Sequence, residues 1–378
     1  MKEDASCSSD KSCCGQASAK VSPKPCCPPP HWQLKSILTP AGLVPRARTD
    51  LQFADRLGTL KARLGISRIR YSVRPGLYAV GNPTKDSPVL VSANHKMSFD
   101  HLRSSMNGTD AWIMVLDTKG INVWCAAGKG TFGTEELIHR IRATRLTEIV
   151  EHRRIILPQL GAPGVQAHIV RERTGFSVEY GPVYARDLPA YLRNGHKATA
   201  EMRKVRFGFR ERLELTPMEI VPALKGFLIF LGAVFLLFGL QREGILFRSA
   251  LHNGLPVAIL GAAALLSGTF FAPLFLPWIP FRSFALKGLL VGGVATGALV
   301  FLVPAEALQS VYLQAFSLVF FPAAGSYLAL QFTGSTTFTS ISGVKKELKI
   351  GLPLYIAAGV IALVLLVLYK IQDWGIWI

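Results

Sequence analysis

The last third of the chain constrains the fold most. Five apolar runs follow one another, at about 221–240, 256–279, 286–303, 308–331 and 350–369. Each comes near the roughly 20 residues that a helix needs to cross a bilayer. The run from Ile350 to Tyr369 holds no charged side chain. Five such runs in succession exclude an ordinary soluble protein. Half of all residues are hydrophobic and the mean hydropathy is +0.32, which excludes a disordered one. Residues 216–378 are therefore predicted to be an all-α transmembrane domain of five helices.

Charge then orients the runs. Lys and Arg total 42 against 24 Asp and Glu, a formal net charge of +18. With the preceding domain inside the cell, the inner segments are 203–225, 282–287 and 345–349, and they carry eleven basic residues. The outer segments carry three: Arg242, Arg248 and Lys370. Basic residues concentrate on the cytoplasmic side of spans. The expected location is thus the cytoplasmic (inner) membrane, with the N-terminal domain inside and the C-terminus outside. This topology accounts for the basic excess near the spans, so nucleic acid is not inferred as a partner; membrane lipid is. No Asp, Glu, Lys or Arg lies deep within a run, where ion and proton pathways leave such residues. Transport is the lesser reading.

Residues 1–45 read as a disordered Cys/Pro-rich tail and linker, with Cys7, Cys13, Cys14, Cys26 and Cys27 ahead of Pro28-Pro29-Pro30. The first thirty residues contain no apolar signal segment, so neither an export leader nor a disulfide framework is expected. Residues 46–215 alternate short apolar runs with polar, helix-like stretches, the pattern of an α/β layer fold. Ile69–Val73 and Leu77–Val80 flank Arg74-Pro75-Gly76 as a predicted hairpin. Val89–Val91, Ala111–Leu116, Arg154–Leu157 and Phe176–Tyr180 are predicted strands, and Asn122–Cys125 is a further short run after the second of them. Helices are predicted from a Ser98 cap to Met106, and over Thr134–Ile141, Gly164–Arg173 and Asp187–Arg193.

The stretch Asn122-Val123-Trp124-Cys125-Ala126-Ala127-Gly128-Lys129-Gly130-Thr131 is the most informative. A P-loop fails here, because Val123 and Gly130 stand where Gly and Ser/Thr are required. Gly128-x-Gly130-x-x-Gly133 spells the dinucleotide fingerprint but lacks the acidic residue at the end of the next strand. It supports an alternative function, a membrane transporter with a cytoplasmic nucleotide-binding regulatory domain. Composition alone leaves Cys125 either a small buried hydrophobe or a functional thiol. Trp124 is either core or an exposed apolar wall.

The same stretch, continued through Phe132-Gly133-Thr134, resembles the signature of the HgcA family, the corrinoid proteins of microbial mercury methylation. That family is related to the corrinoid iron–sulfur proteins of acetyl-CoA synthesis. Val89–Asn94, Ser98-Phe99-Asp100 and Trp112–Gly120 are similar to the family's preceding strands and helix. The resemblance covers roughly residues 45–378; the Cys-rich tail lies outside it. It implies a Rossmann-like corrinoid-binding domain, with the Cys125 thiolate as lower axial ligand to the cobalt of a bound cobamide. The implied enzyme is a methyltransferase that passes a methyl group from methyl-Co(III) to Hg(II). Because Hg(II) is an electrophile, the methyl must travel with its bonding electrons, which a thiolate donor on the opposite side of cobalt favours. A thiolate is kept at neutral pH by a metal, a positive charge or a helix N-terminus, and Cys125 is expected just ahead of a helix. Implied partners are a ferredoxin-like protein with two [4Fe–4S] clusters as electron donor and a methyl-folate system as methyl donor.

Around Cys125, strand-end geometry and the resemblance together nominate further cofactor-binding residues. Asn122, Val123, Trp124, Ala126, Gly128 and Lys129 would line the corrin face. Ser92 and Ser98, just beyond the first parallel strand, would bond the cobamide tail. Gly181 and Ala185 would border the crevice after the last strand. In the tail, the vicinal pairs Cys13-Cys14 and Cys26-Cys27 are candidate Hg(II) ligands, since soft thiolates prefer soft metals.

Overall fold

The computed structural model describes residues 29–66, 68–302, 306–336, 338–339 and 341–376. The tail cysteines therefore lie outside the described residues. Two compact units emerge: the first holds the chain up to Thr59 and Ile69–Lys204, the second holds Leu60–Arg68 and Val205–Ile378.

The first unit is a seven-stranded sheet in the order β1-β2-β3-β5-β4-β6-β7. Its strands are β1 (Gln33–Thr39), β2 (Gly42–Ala47), β3 (Gly76–Val80), β4 (Val89–Ala93), β5 (Ala111–Leu116), β6 (Arg154–Leu157) and β7 (Ser177–Tyr180). Strands β5, β4, β6 and β7 are mutually parallel, and β3 runs antiparallel to β5. Every residue of β4 and β5 is buried, as continuous apolar runs require when both faces of a sheet are covered. The helices are α1 (Phe53–Arg63), α2 (Lys96–Ser105), α3 (Val123–Gly128), α4 (Thr134–Ala143), α5 (Leu146–Ile149), α6 (Ala167–Thr174) and α7 (Leu188–Arg193).

The period-2 alternation of β5 divides the core. Trp112, Met114 and Leu116 pack with Ala126, Phe132, Leu137, Ile141 and Val170, from α3, α4, α6 and the turn between them. Ala111, Ile113 and Val115 pack on the other face with Phe99 and Leu102 of α2 and Leu188 and Tyr191 of α7. Each fully buried side chain of this size contributes about 1.5–3 kcal/mol.

Two predictions are corrected here. Residues 33–45 are not linker: β1 and β2 form an antiparallel hairpin that extends the sheet, and Trp32 packs edge-on against Phe99 with centroids 5.1 Å apart. The 69–80 hairpin does not form either. Only Leu77–Val80 lies in a strand, β3, which pairs with β5, while Ser72 makes a lone bridge to His95.

The α2 face also holds a closed ring of four buried charges. Lys96 Nζ lies 2.7 Å from Asp55 Oδ1 and 2.6 Å from Asp100 Oδ1. Arg103 closes the ring, with Nη2 2.8 Å from Asp55 Oδ2 and Nε 2.7 Å from Asp100 Oδ1. Burial pushes the Asp55 carboxyl up, but Lys96 and Arg103 outweigh it and hold the group far below the ordinary carboxylate range. Arg103 also donates to the Arg48 carbonyl, which ties the chain ahead of α1 to α2.

In the second unit all five predicted runs are helices long and apolar enough to cross a membrane: Phe209–Gly239, Phe247–Leu274, Phe284–Leu302, Val311–Gln331 and Ser342–Asp373. The third and fourth meet along a seam of small residues, which lets their backbones approach closely. A Cβ on Gly288 would stand 2.5 Å from the Ala329 Cβ, and one on Gly268 of the second helix 2.5 Å from the Gly325 carbonyl oxygen. Cations bond carbonyls at and just beyond the C-terminal end of the second helix. Arg212 Nε donates to Leu274 O at 3.0 Å, and Lys287 Nζ donates to Leu276 O and Ile279 O.

Candidate functional site at the carboxyl edge of the sheet

Chain direction locates the crevice. From β4 the chain moves to β5 through α2 on one face. From β5 it crosses back to β6 through α3 and α4 on the other face. The order therefore reverses between β4 and β6, and ligands of open α/β sheets bind outside the carboxyl ends of strands at such a point.

Helix α3 lies at this edge. Asn122, extended at φ −66° and ψ 162°, caps it by accepting the Cys125 N–H on Oδ1 at 3.0 Å. Ala126 and Ala127 turn inward. The segment Gln159–Gly164 after β6 closes on them: a Cβ on Gly164 would stand 2.1 Å from Phe132 O and 3.1 Å from Ala127 Cα. Helix α3 thereby reaches from β5 past β4 toward β6.

This corrects the reading of Asn122–Cys125. The run is a capped helical turn, and Cys125 is the third residue inside α3 instead of the residue ahead of a helix. Cys125 is exposed, so the buried-cysteine alternative is removed. Trp124 is 41% exposed, which removes its core alternative. Gly128, Lys129 and Gly130 are exposed beyond it. Gly130, at φ 78°, turns the chain between α3 and α4. The Gly128-x-Gly130-x-x-Gly133 match thus joins two helices; the strand-to-helix turn of a dinucleotide site is absent from this stretch.

Asn94 shapes the loop that leads into α3. Sequence reasoning did not single it out as a site residue, although it directly follows a buried strand. Its Oδ1 accepts Thr118 N–H at 3.2 Å and Gly120 N–H at 2.9 Å, and lies 2.8 Å from Thr118 Oγ1. Its amide donates to Asp117 Oδ1 at 3.2 Å. Lys119 and Gly120 then adopt left-handed φ of 58° and 73°, and a Cβ on Gly120 would strike the Ile69 carbonyl at 2.1 Å. Partial burial pushes Asp117 up, but the Lys119 ammonium and N–H overcome it and hold the carboxyl below its ordinary value.

Residues 65–192, from the end of α1 to α7, match the family model described as CO dehydrogenase/acetyl-CoA synthase delta subunit. The acetyl-CoA decarbonylase/synthase complex subunit gamma of Methanopyrus kandleri is 32% identical over 122 residues, 32% of this chain and 26% of that protein. Its counterparts in Archaeoglobus fulgidus and Methanocaldococcus jannaschii are 29% identical over 127 residues (33% of this chain, 27% of that protein) and 30% over 125 (32% and 25%). The α/β unit has kin in acetyl-CoA synthesis. This chain spans about a quarter of the length of these relatives, and the family match ends before the first of the five long apolar helices. The kinship is the coarser part of what the Cys125 signature implied: relation to the corrinoid iron–sulfur proteins.

The residues at this edge fit a corrinoid in the chemistry of their donor set. An exposed sulfur and an exposed indole stand side by side, and two glycines beyond them add no side chain. Six nominated residues fit less well. Ala126 is fully buried beneath α3 and offers no surface. Ser92 lies inside β4, buried, on the α2 face; its hydroxyl donates to the Ala93 carbonyl at 3.2 Å. Ser98 does not cap α2; His95 holds that position and Ser98 sits half-buried in the first turn. Gly181 is buried at the end of β7, its N–H donating to Leu157 O at 2.8 Å. Ala185 opens a short turn packed on the α2-face core. Val123 is half-buried against the opposite core.

Proposed function

We propose that this protein is a membrane-anchored corrinoid methyltransferase that passes a methyl group from a bound cobamide to Hg(II), forming methylmercury. One observation carries the reading: Cys125, inside the signature stretch, presents an exposed sulfur at the switch point of a sheet whose kin belong to acetyl-CoA synthesis. The cobamide, when bound, supplies a metal that takes up a methyl group as a cation equivalent and releases it with its bonding electrons.

The chain's own residues hold and orient. The Cys125 thiolate would hold the cobalt of the cobamide. Asn122 fixes its backbone through the helix cap, and Asn94 fixes the loop ahead of Asn122. Trp124 gives the corrin an apolar wall that limits water. Lys129 adds positive charge at the same edge. Hg(II) enters as substrate, and the tail pairs Cys13-Cys14 and Cys26-Cys27 raise its local concentration. Electrons come from a ferredoxin-like protein with two [4Fe–4S] clusters, and the methyl group from a methyl-folate system. The unit lies on the cytoplasmic side of the inner membrane, with the C-terminus outside.

The test uses the purified full chain reconstituted with cobalamin. The absorption spectrum should carry a thiolate–cobalt signature that is lost in Cys125→Ala, together with methylmercury formation at matched expression. Wild-type methylation by Cys125→Ala would sink the ligand assignment. No corrinoid uptake by the wild type would sink the function.

A further inference from the structure

Helix α1 carries an apolar stripe on its outer side. At about 100° per residue, Phe53, Leu57 and Leu60 fall within about 60° of one another, and Asp55, Gly58 and Ala62 fall on the opposite side. The second set faces inward. Asp55 is locked in the charged ring, Ala62 is fully buried, and a Cβ on Gly58 would collide with the Tyr71 ring. The first set faces out: Phe53 is 79% exposed, Leu57 38% and Leu60 54%. Ile66, just past the helix, is 52% exposed.

The flanks of the stripe are basic. Arg56 and Arg63 lie along one side and Lys61 along the other. From Phe53 to Arg70 the sequence holds Arg56, Lys61, Arg63, Arg68 and Arg70 against a single acid, Asp55, whose charge is used inside the ring. With Arg63 paired to Glu214, Arg56 on one side and Lys61 on the other leave the outer surface of this segment apolar at the centre and cationic at its margins. That is the pattern of a helix lying in a membrane interface, its apolar side chains among the acyl boundary and its cations among anionic headgroups.

Continuity with the membrane helices points the same way. Leu60–Arg68 belongs to the same compact unit as the five apolar helices. Arg63 Nη2 lies 3.0 Å from Glu214 Oε2, and Arg68 meets the Met218 sulfur. Both partners stand on the first membrane helix just ahead of its apolar run.

We infer that α1 is an interfacial helix, with Phe53, Leu57 and Leu60 immersed in the surface of an anionic phospholipid bilayer. This rests on the membrane-spanning part of the proposed function and is independent of the corrinoid chemistry.

The test is made on the full chain with its six native cysteines replaced by serine. Single substitutions Phe53→Cys, Leu57→Cys, Leu60→Cys and Ala54→Cys carry a nitroxide, with Leu363→Cys on the fifth membrane helix as reference. Collision with oxygen and with a water-soluble nickel chelate is read in nanodiscs containing phosphatidylglycerol. Lipid immersion gives the stripe an oxygen-to-nickel ratio about threefold or more above that of Ala54→Cys. The ratio should fall in discs of phosphatidylcholine alone, and when Arg56→Glu and Lys61→Glu are added. Nickel collision equal to that at position 54 means water and overturns the inference. Low collision with both reagents means a protein partner on the stripe and overturns it too. A water-like signal at Leu363→Cys would overturn the spanning helices and this inference together.

Discussion

The ring on the α2 face and the thiol edge at α3 are opposite treatments of chemically potent side chains within one sheet. In the ring, Asp55, Lys96, Asp100 and Arg103 are all nearly inaccessible, and each acid meets both bases. At the edge, Cys125 and Trp124 stand in the open, held by the backbone and by Asn122 alone. Groups that are buried and fully partnered, among themselves and by neighbours such as His31 on Asp55 and the Arg48 carbonyl on Arg103, secure the fold and offer nothing to a ligand. Groups left open contribute little to the fold and remain available for chemistry.

The largest effect is expected in the ring. Arg103→Met leaves Asp55 and Asp100 sharing Lys96 in a buried setting, and should lower folding stability by about 3–5 kcal/mol in a denaturant titration. A loss under about 1 kcal/mol would mean the ring is no more integral than an exposed ion pair.

Next in size are the pH limits of the α2 face. Burial pushes the Tyr78 hydroxyl up to about 12. Its raised folded value means the unfolded chain ionises first, so stability is intact below pH 10 and falls by about 2–3 kcal/mol between pH 10 and 12. Asp55 has the opposite sign. Its depressed folded value gives stability that is present above about pH 4 and lost as pH falls further. Stability that drifts between pH 5 and 9 with Tyr78 and Asp55 as its source would contradict both assignments.

Asn94→Ala lies between the two regions, because it joins strand β4 to the loop before α3. Losing a buried acceptor for two N–H groups should cost about 1–3 kcal/mol. Amide exchange should speed up at Thr118 and Gly120 while Ile113 stays protected. Uniform acceleration across β5 would show that Asn94 supports the whole sheet.

Cys125→Ala should change stability by no more than about 0.5 kcal/mol, since the side chain is exposed and few contacts are lost. A loss near that of Arg103→Met would erase the contrast between edge and ring.

What the sequence revealed follows the same division. Continuous apolar runs named β4, β5 and β6, which are covered on both faces, and the five long helices, whose runs reach the length that crosses a membrane. The β1–β2 hairpin was missed because it is a half-exposed edge whose polar Lys35 and Ser36 read as linker. The helical state of Cys125 was missed because Val123 and Trp124 favour strands, although Asn122 is a strong cap residue. The ring was invisible for a different reason. Only Lys96–Asp100 and Asp100–Arg103 have helical spacing, while Asp55 arrives from 41 residues away. Ser92 was misplaced by counting it beyond a strand that in fact runs to Ala93.

The bonds made by Asn94 have a consequence for the order in which the chain matures. The loop before α3 takes its shape from an amide that precedes it by 24–26 residues on another strand. Nothing local to residues 117–125 can supply that template, so the turn ahead of Cys125 acquires its geometry only once β4 and β5 have registered. Because β4, Asn94 and β5 all precede Cys125 in the chain, the template emerges first during synthesis, and the Gln159–Gly164 segment that closes on α3 is still to come when the thiol appears.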